Sequence, residues 1–242
     1  MVPALDMANH SSAPTAYYEE NDEGDVIMLL RPESTVLMGQ EVTISYGDAK
    51  PAAEMLFSYG FVDEDATTGS RKETTLPLDS FPDDPLAKVK LHAYGGPPSL
   101  RLFRTEGAVH WDAPFVHFMC LNEEDGLDFR VLQGTDGERH LRLFWQDSDV
   151  TGQANEFESL TENHPLRSVF RLRAVAVLHE QISTQLERIR APLSPDQLGG
   201  VREEYSQAAQ TLRRLETELL EDAAMALDSQ VRGEAILSAA PV

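Results

Sequence analysis

The chain has 242 residues, enough for one large domain or two modest ones. Its 41 acidic residues against 20 basic ones give a formal net charge of −21. That charge opposes binding to nucleic acid or to anionic membrane, and leaves a basic protein partner, or solubility alone, as its reason.

In chain order, the opening MVPALDMANH has neither a basic stretch nor a long apolar core, so it does not read as a signal peptide. No run approaches the length needed to span a bilayer. The expected setting is soluble and intracellular, cytoplasmic or nuclear. Residues 24–46 read as strands: DVIMLL is a short apolar run, and GQEVTISYG places Val42, Ile44 and Tyr46 on one face by alternation. DAKPAAEMLFSYG follows as a short helix, with Pro51 in its first turn, Asp48 as a candidate acceptor for the free N–H groups, and Gly60 as a left-handed cap.

Residues 63–86 are polar and rich in proline and turn formers, and predict an exposed linker. Beyond it, SLRLFRTEGAV and RHLRLFWQ alternate like strands, while APFVHFMCLNEE has the character of a helix. Cys120, the single cysteine, lies in that apolar stretch. It excludes a disulfide framework and a CxxC zinc signature within the chain, and predicts a buried, inert thiol. In the last third, Val175, Leu178, Ile182, Leu186 and Ile189 recur at helical spacing, as do Tyr205, Leu212, Leu215, Leu219 and Ala226. Separated by APLSPDQLGG, they predict paired helices over 167–190 and 202–228, an antiparallel hairpin, with a frayed tail after it.

The general motifs of catalysis are missing: no phosphate loop, no GxGxxG, no GxSxG, and no metal spacing among the seven histidines. Two segments remain. LDMANHSS sets Asp6, Asn9 and His10 into an apolar stretch, and GQEVTISYGDAKPAAEMLFSYGFVD carries Tyr46 and Tyr59, 13 residues apart. Taken singly, an Asn-His pair is a turn or a satisfied core polar group, and a tyrosine ending a strand is a core residue. Together they resemble the second half of the SET methyltransferase domain, in the branch typified by the plant Rubisco large-subunit lysine methyltransferase. In that branch an LDxxNHS-type segment precedes a GxEVxIxYG strand, a helix ending in SYGFV, and a helical C-terminal domain. The clear resemblance covers residues 2–64; beyond the linker it rests on helical pattern and position.

The resemblance implies an α+β chain: a partial β-rich SET module over 1–65, a linker over 66–86, and a mainly helical substrate-binding domain over 87–242 that ends in the long hairpin. It implies a protein-lysine N-methyltransferase using S-adenosylmethionine, acting on a protein that bears the target lysine, with a histidine target as the alternative. By resemblance Asn9 and His10 contact S-adenosylmethionine, His10 largely through its backbone, and Tyr46 stands at the methyl-transfer channel. Asp6, Tyr59 and one of Tyr17 or Tyr18 shape the amine pocket, with Tyr18 preferred for its Tyr-Glu context. A phenol stays protonated near neutral pH, so Tyr46 is expected to orient and polarise rather than act as a strong base. No cysteine-rich zinc cluster follows Tyr59, which favours the Rubisco-type branch. The glycine-containing cofactor loop of the family's first half has no counterpart in the sequence. The site is therefore expected to be incomplete in a truncated or fragmentary chain, or to be a natural remnant. A non-catalytic interaction module is the competing class.

Overall fold

The computed structural model describes residue 2 and residues 5–47, 50–63, 73–133, 137–192 and 202–239, the last seven by backbone alone. Two compact units divide the chain: Met1–Glu73 with Ser194–Glu216, and Thr74–Leu193 with Thr217–Val242. The fold class is α+β.

In the first unit a 3-10 turn, Leu5–Met7, leads into a segment that meets the 42–46 stretch in a single parallel bridge, His10 to Ile44. Ile44 N–H donates to Asn9 O and Ser11 N–H donates to Ile44 O, both at 3.0 Å. Between these points the chain makes an excursion, the antiparallel hairpin of β1 (Ala16–Glu20) and β2 (Val26–Leu30). Its neck is tied by Thr15 and Thr43, each backbone N–H donating to the other's hydroxyl oxygen, and by Ala16 N–H donating to Thr43 O. The 42–46 stretch forms only the bridge and no longer strand, yet its alternation holds: Ile44 is buried with Ala8 and Ala16, and Val42 and Tyr46 pack on that cluster. β2 presents Val26, Met28 and Leu30 outward, with Tyr18 opposite Met28.

Helix α1, Ala52–Tyr59, starts after Pro51 in extended conformation and uses no side-chain cap; Asp48 lies outside the described residues. Gly60 ends it at φ 81°, its N–H donating to Leu56 O. That conformation is open to glycine at little cost. It turns Phe61 through Asp63 away from the helix direction.

The expected linker is corrected here. Residues 64–72 lie outside the described residues, but Glu73–Pro77 form strand β3, with Thr74 and Leu76 buried and Leu78 buried just beyond it. β3 joins β4 (Ser99–Thr105) and β5 (Ala108–Asp112) in one three-stranded sheet. The apolar alternation of Thr74, Leu76 and Leu78 prevails over the proline and aspartate content that suggested a connection. β6 (Leu127–Gln133), β7 (Arg139–Trp145) and β8 (Ser148–Asp149) form a second antiparallel sheet. The stretch from 73 to 149 is thus rich in strands, and the helical character expected over 87–242 is concentrated in its later part. The β4–β5 and β7–β8 connections are two-residue turns with both φ angles positive, Glu106-Gly107 and Gln146-Asp147. That geometry matches the twist of the paired strands.

Helix α2, Ala87–Tyr94, carries a fully buried lysine. The Lys90 ammonium donates to Asp84 Oδ2 at 2.6 Å, Leu121 O at 2.6 Å and Met119 O at 3.1 Å. Burial is tolerated because one carboxylate balances the charge and each N–H has an acceptor. Two of those acceptors are carbonyls at the C-terminal end of α3 (Pro114–Met119), where cations are favoured. Phe118 of α3 stacks on Phe157 of α4 (Phe157–Leu160) at 4.6 Å, and Phe115 meets Phe118 edge-on at 6.1 Å.

The two long helices are α5, Arg167–Arg190, and α6, Glu203–Ala239. α5 buries Val175, Leu178, Ile182 and Leu186, four of its five expected positions, with Ile189 partly buried. α6 buries Leu219, Leu220, Ala223 and Leu227. The expected stripe was Tyr205, Leu212, Leu215, Leu219 and Ala226; Tyr205–Glu216 fall in the first unit, and Ala226 gives way to Leu227. The ion pairs His179–Asp228, at 3.1 Å, and Arg190–Glu221 run in opposite senses along the two helices, so the pairing is antiparallel. No described helix is long and apolar enough to cross a membrane.

Two buried groups lead to measurements. Burial pushes the Cys120 thiol up to about 12. At pH 8 a thiol reagent should therefore label Cys120 slowly in the native protein and fast after denaturation. Equal rates would mean that the thiol is exposed. His117 is held below the usual imidazole range, chiefly by burial; the Glu158 carboxylate opposes this shift and Arg171 adds to it. Its folded-state pKa thus lies below the unfolded value of about 6.5. The stabilisation from keeping it neutral is complete above that value and is lost as pH falls below it. Denaturant midpoints at pH 5, 6 and 7 should fall less steeply in His117→Phe than in the parent, and matching slopes would refute this origin.

Candidate functional site

Three segments of the first unit converge: residues 8–10, residues 44–46 and residues 59–63. The His10 imidazole joins them. Its Nδ1 accepts the Tyr46 backbone N–H at 3.1 Å, which assigns the neutral ring's proton to Nε2, and Nε2 lies 3.2 Å from Asp63 Oδ2. Both side chains are largely buried. Because the His10 side chain is committed in this way, the chain around it presents backbone rather than imidazole.

Tyr46 is half-buried, and its hydroxyl donates to Ala8 O at 2.9 Å. Its ring centroid is 4.6 Å from that of Tyr59 and 5.3 Å from that of His10. Phe61 completes the group, 5.6 Å from His10 and 6.4 Å from each tyrosine. Such tilted packing of rings is favourable and stiff. Tyr59, on the last turn of α1, is 43% exposed, so the aromatic cluster has one open side. Tyr205 of α6 lies close to Gly60, with a ring carbon 3.5 Å from where a Cβ on Gly60 would sit.

The other expected residues are placed differently. Asn9 is exposed; its side-chain amide N–H donates to Glu41, and among the described residues no hydrogen bond uses its carboxamide oxygen. Asp6 is exposed and its carboxylate accepts the Val2 N–H at 2.8 Å, an engagement local to the first turn. Tyr18 lies on β1, 53% exposed, and neither it nor Tyr17 takes part in the ring contacts around Tyr46. Tyr46, Tyr59 and His10 are therefore brought together, Asn9 adjoins them through the backbone, and Asp6 and Tyr18 stand outside the aromatic cluster.

Sequence reasoning missed Phe61, Asp63 and Glu41. Phe61 and Asp63 stand in SYGFVD directly after the helix stop, and an aromatic and an acid following a capping glycine were the available signal. The Glu41–Asn9 pair had none, being a contact across 32 residues. Among the described residues no group of three or more histidines, cysteines and carboxylates is placed to hold a metal ion.

No family model matches the chain. It is 31% identical over 187 residues to the SET domain-containing protein 8 of Schizosaccharomyces pombe, an alignment that covers 76% of this chain and 42% of that protein. The chain thus spans less than half the length of this curated relative. The likeness supports a SET domain in the chain, in line with the motifs that carry Asn9, His10, Tyr46 and Tyr59.

The His10 bridge can be tested directly. His10→Ala removes the acceptor of the Tyr46 N–H and the partner of Asp63. Hydrogen exchange at the Tyr46 amide and over 61–63 should rise by the equivalent of about 1–3 kcal/mol of protection, while amides of α5 stay unchanged. Unaltered protection at Tyr46 would show that the bridge does not hold this stretch.

Proposed function

We propose that the chain belongs to an S-adenosylmethionine-dependent protein-lysine N-methyltransferase of the SET type, in the Rubisco large-subunit methyltransferase branch. In this reading residues 87–242 bind the protein substrate. The observation that carries it is the Tyr46–Tyr59 ring pair, locked to the Asn9–His10 segment through the His10 imidazole. The similarity to a SET domain-containing protein points the same way.

The residues present suit one side of such a cofactor. Asn9 offers a carboxamide oxygen at the surface, beside backbone fixed by the Ile44 bridge, which suits the polar amino-acid end of the molecule. When bound, S-adenosylmethionine supplies an electrophilic methyl group on a sulfonium. The protein's part is to present a neutral amine in line with it. A free lysine has a pKa of about 10.4, and apolar walls favour its neutral form. The rings of Tyr46, Tyr59 and Phe61 form such a wall. With its proton directed at Ala8 O, the Tyr46 hydroxyl keeps oxygen lone pairs that can accept from the amine and fix its angle of approach. Lysine is proposed over histidine because the aromatic wall suits a straight alkyl chain laid along it.

A non-catalytic interaction module is the second reading. It is favoured by the apolar side chains that the first unit exposes, among them Met28, Leu30, Met38 and Phe57.

Cofactor titration separates the two. The 242-residue chain alone carries the Asn9–His10 side of the pocket and no glycine loop, so its affinity for S-adenosylmethionine should be weaker than about 100 μM. Roughly micromolar binding would mean that another part of the chain completes the pocket. In the natural full-length protein, Tyr46→Phe should slow single-turnover methylation by about a hundredfold and leave cofactor affinity nearly intact, while Asn9→Ala should weaken the cofactor first. Methylation at the parent rate by Tyr46→Phe would return Tyr46 to a packing role. A full-length protein that binds no S-adenosylmethionine would favour the interaction module.

A further inference from the structure

Lysine is scarce in this chain. Of its 20 lysines and arginines only four are lysines: Lys50, Lys72, Lys88 and Lys90. Lys90 is buried in the second unit. Lys50 is the lysine of the first unit's described residues, and it lies against the aromatic cluster.

Its stem crosses Gly47, the residue after Tyr46. A Cβ at Gly47 would sit 3.1–3.3 Å from Cε, Cγ and Cδ of Lys50, tighter than ordinary contact, and Gly47 has φ 136°. The missing side chain at 47 is what lets the stem lie down there. The Lys50 ammonium reaches 6.0 Å from the Tyr59 ring centroid, and Tyr59 in turn is 4.6 Å from Tyr46. Glu54, in the first turn of α1, accepts a hydrogen bond from it. A tethered primary amine therefore waits beside the two tyrosines that the proposed function assigns to amine binding.

We propose that Lys50 is a methyl acceptor of its own protein, a self-modification site restrained by Glu54. The inference rests on the methyltransferase reading. In the step, Lys50 Nζ leaves Glu54 and gives one proton to solvent. Its lone pair then forms the C–N bond with the methyl carbon of S-adenosylmethionine as the S–C bond breaks. The electron pair stays on sulfur, and S-adenosylhomocysteine departs. Glu54 opposes this in the resting protein: its hydrogen bond and charge hold the Lys50 ammonium above the usual lysine range, where Nζ has no lone pair to offer. Methylation keeps the positive charge and removes N–H donors. The singly methylated side chain therefore keeps its charge attraction to Glu54 and to the Tyr59 ring, with one N–H donor fewer for the carboxylate. Transfer within one molecule needs no encounter, so its rate does not depend on protein concentration.

The test uses the natural full-length protein with isotope-labelled S-adenosylmethionine and a pool of lysine-containing peptides as external acceptors, with peptide mass mapping of both. The expected result is label on Lys50, at a first-order rate unchanged by dilution. The rate should rise about two- to fivefold in Glu54→Gln, the range that an exposed ion pair commands. Lys50→Arg should lose the protein label and still methylate the peptides. Labelled peptides with Lys50 unmodified in both the parent and Glu54→Gln would overturn the inference and leave the methyltransferase reading standing. A concentration-dependent rate would overturn transfer within one molecule. If neither the peptides nor the protein take label, the methyltransferase reading falls and this inference falls with it.

Discussion

The first unit depends on one imidazole. His10 has two ring nitrogens, and each holds a different segment. Nδ1 receives the Tyr46 N–H, and Nε2 meets Asp63. Beyond that pair of contacts, the segment at 8–10 and the stretch at 44–46 share the backbone bonds of the His10–Ile44 bridge and a small apolar cluster of Ala8, Ala16 and Ile44. So small a core cannot by itself fix the angles of side chains around it. The polar bridge does so: it holds the Tyr46 backbone, and the Tyr46 hydroxyl on Ala8 O then fixes the ring from its other end. Tyr59 and Phe61 are left to pack on a ring that is already oriented.

The second unit solves a different problem with the same economy of partners. A buried ammonium at Lys90 joins α2 to the last carbonyls of α3, and the Arg173 guanidinium reaches Cys120 O and Asp125 a short distance on. Two cations thus terminate one short apolar helix, in a unit whose core is otherwise aromatic and aliphatic. The Cys120 thiol beside them stays protonated despite two nearby positive charges, because burial outweighs them.

What the sequence made legible follows the range of the interactions involved. Helix α1 was readable at both ends, since Pro51 and Gly60 act within a turn of where they stand. The core face of α5 was readable because four of its apolar residues repeat at helical spacing. β3 was not, since three alternating positions are a weak pattern inside a segment full of proline and aspartate. The β7–β8 turn was also hidden: Gln146 and Asp147 both take positive φ without glycine to announce it. Around the aromatic cluster, His10, Tyr46 and Tyr59 stand in readable motifs, but their polar partners do not. Nothing local to His10 points to an acid 53 residues later. Tyr18 shows the converse: a residue chosen by motif context lies on the outward side of a hairpin, because strand register and not motif decides which way it faces.

The excursion between residues 11 and 43 leaves and returns through one narrow neck, closed by the His10–Ile44 bridge and the reciprocal Thr15 and Thr43 bonds. The hydrogen bonds that position Tyr46 and His10 all lie on the near side of that neck. Loop-closure entropy rises only with the logarithm of length, about 0.6 kcal/mol for each doubling. Insertions at the hairpin tip, around Asn21–Gly24, therefore cost little and transmit nothing to the tyrosines. The hairpin can lengthen, shorten or change its outward side chains from one descendant to another while the site it adjoins stays the same, which makes it the part of this unit free to diversify.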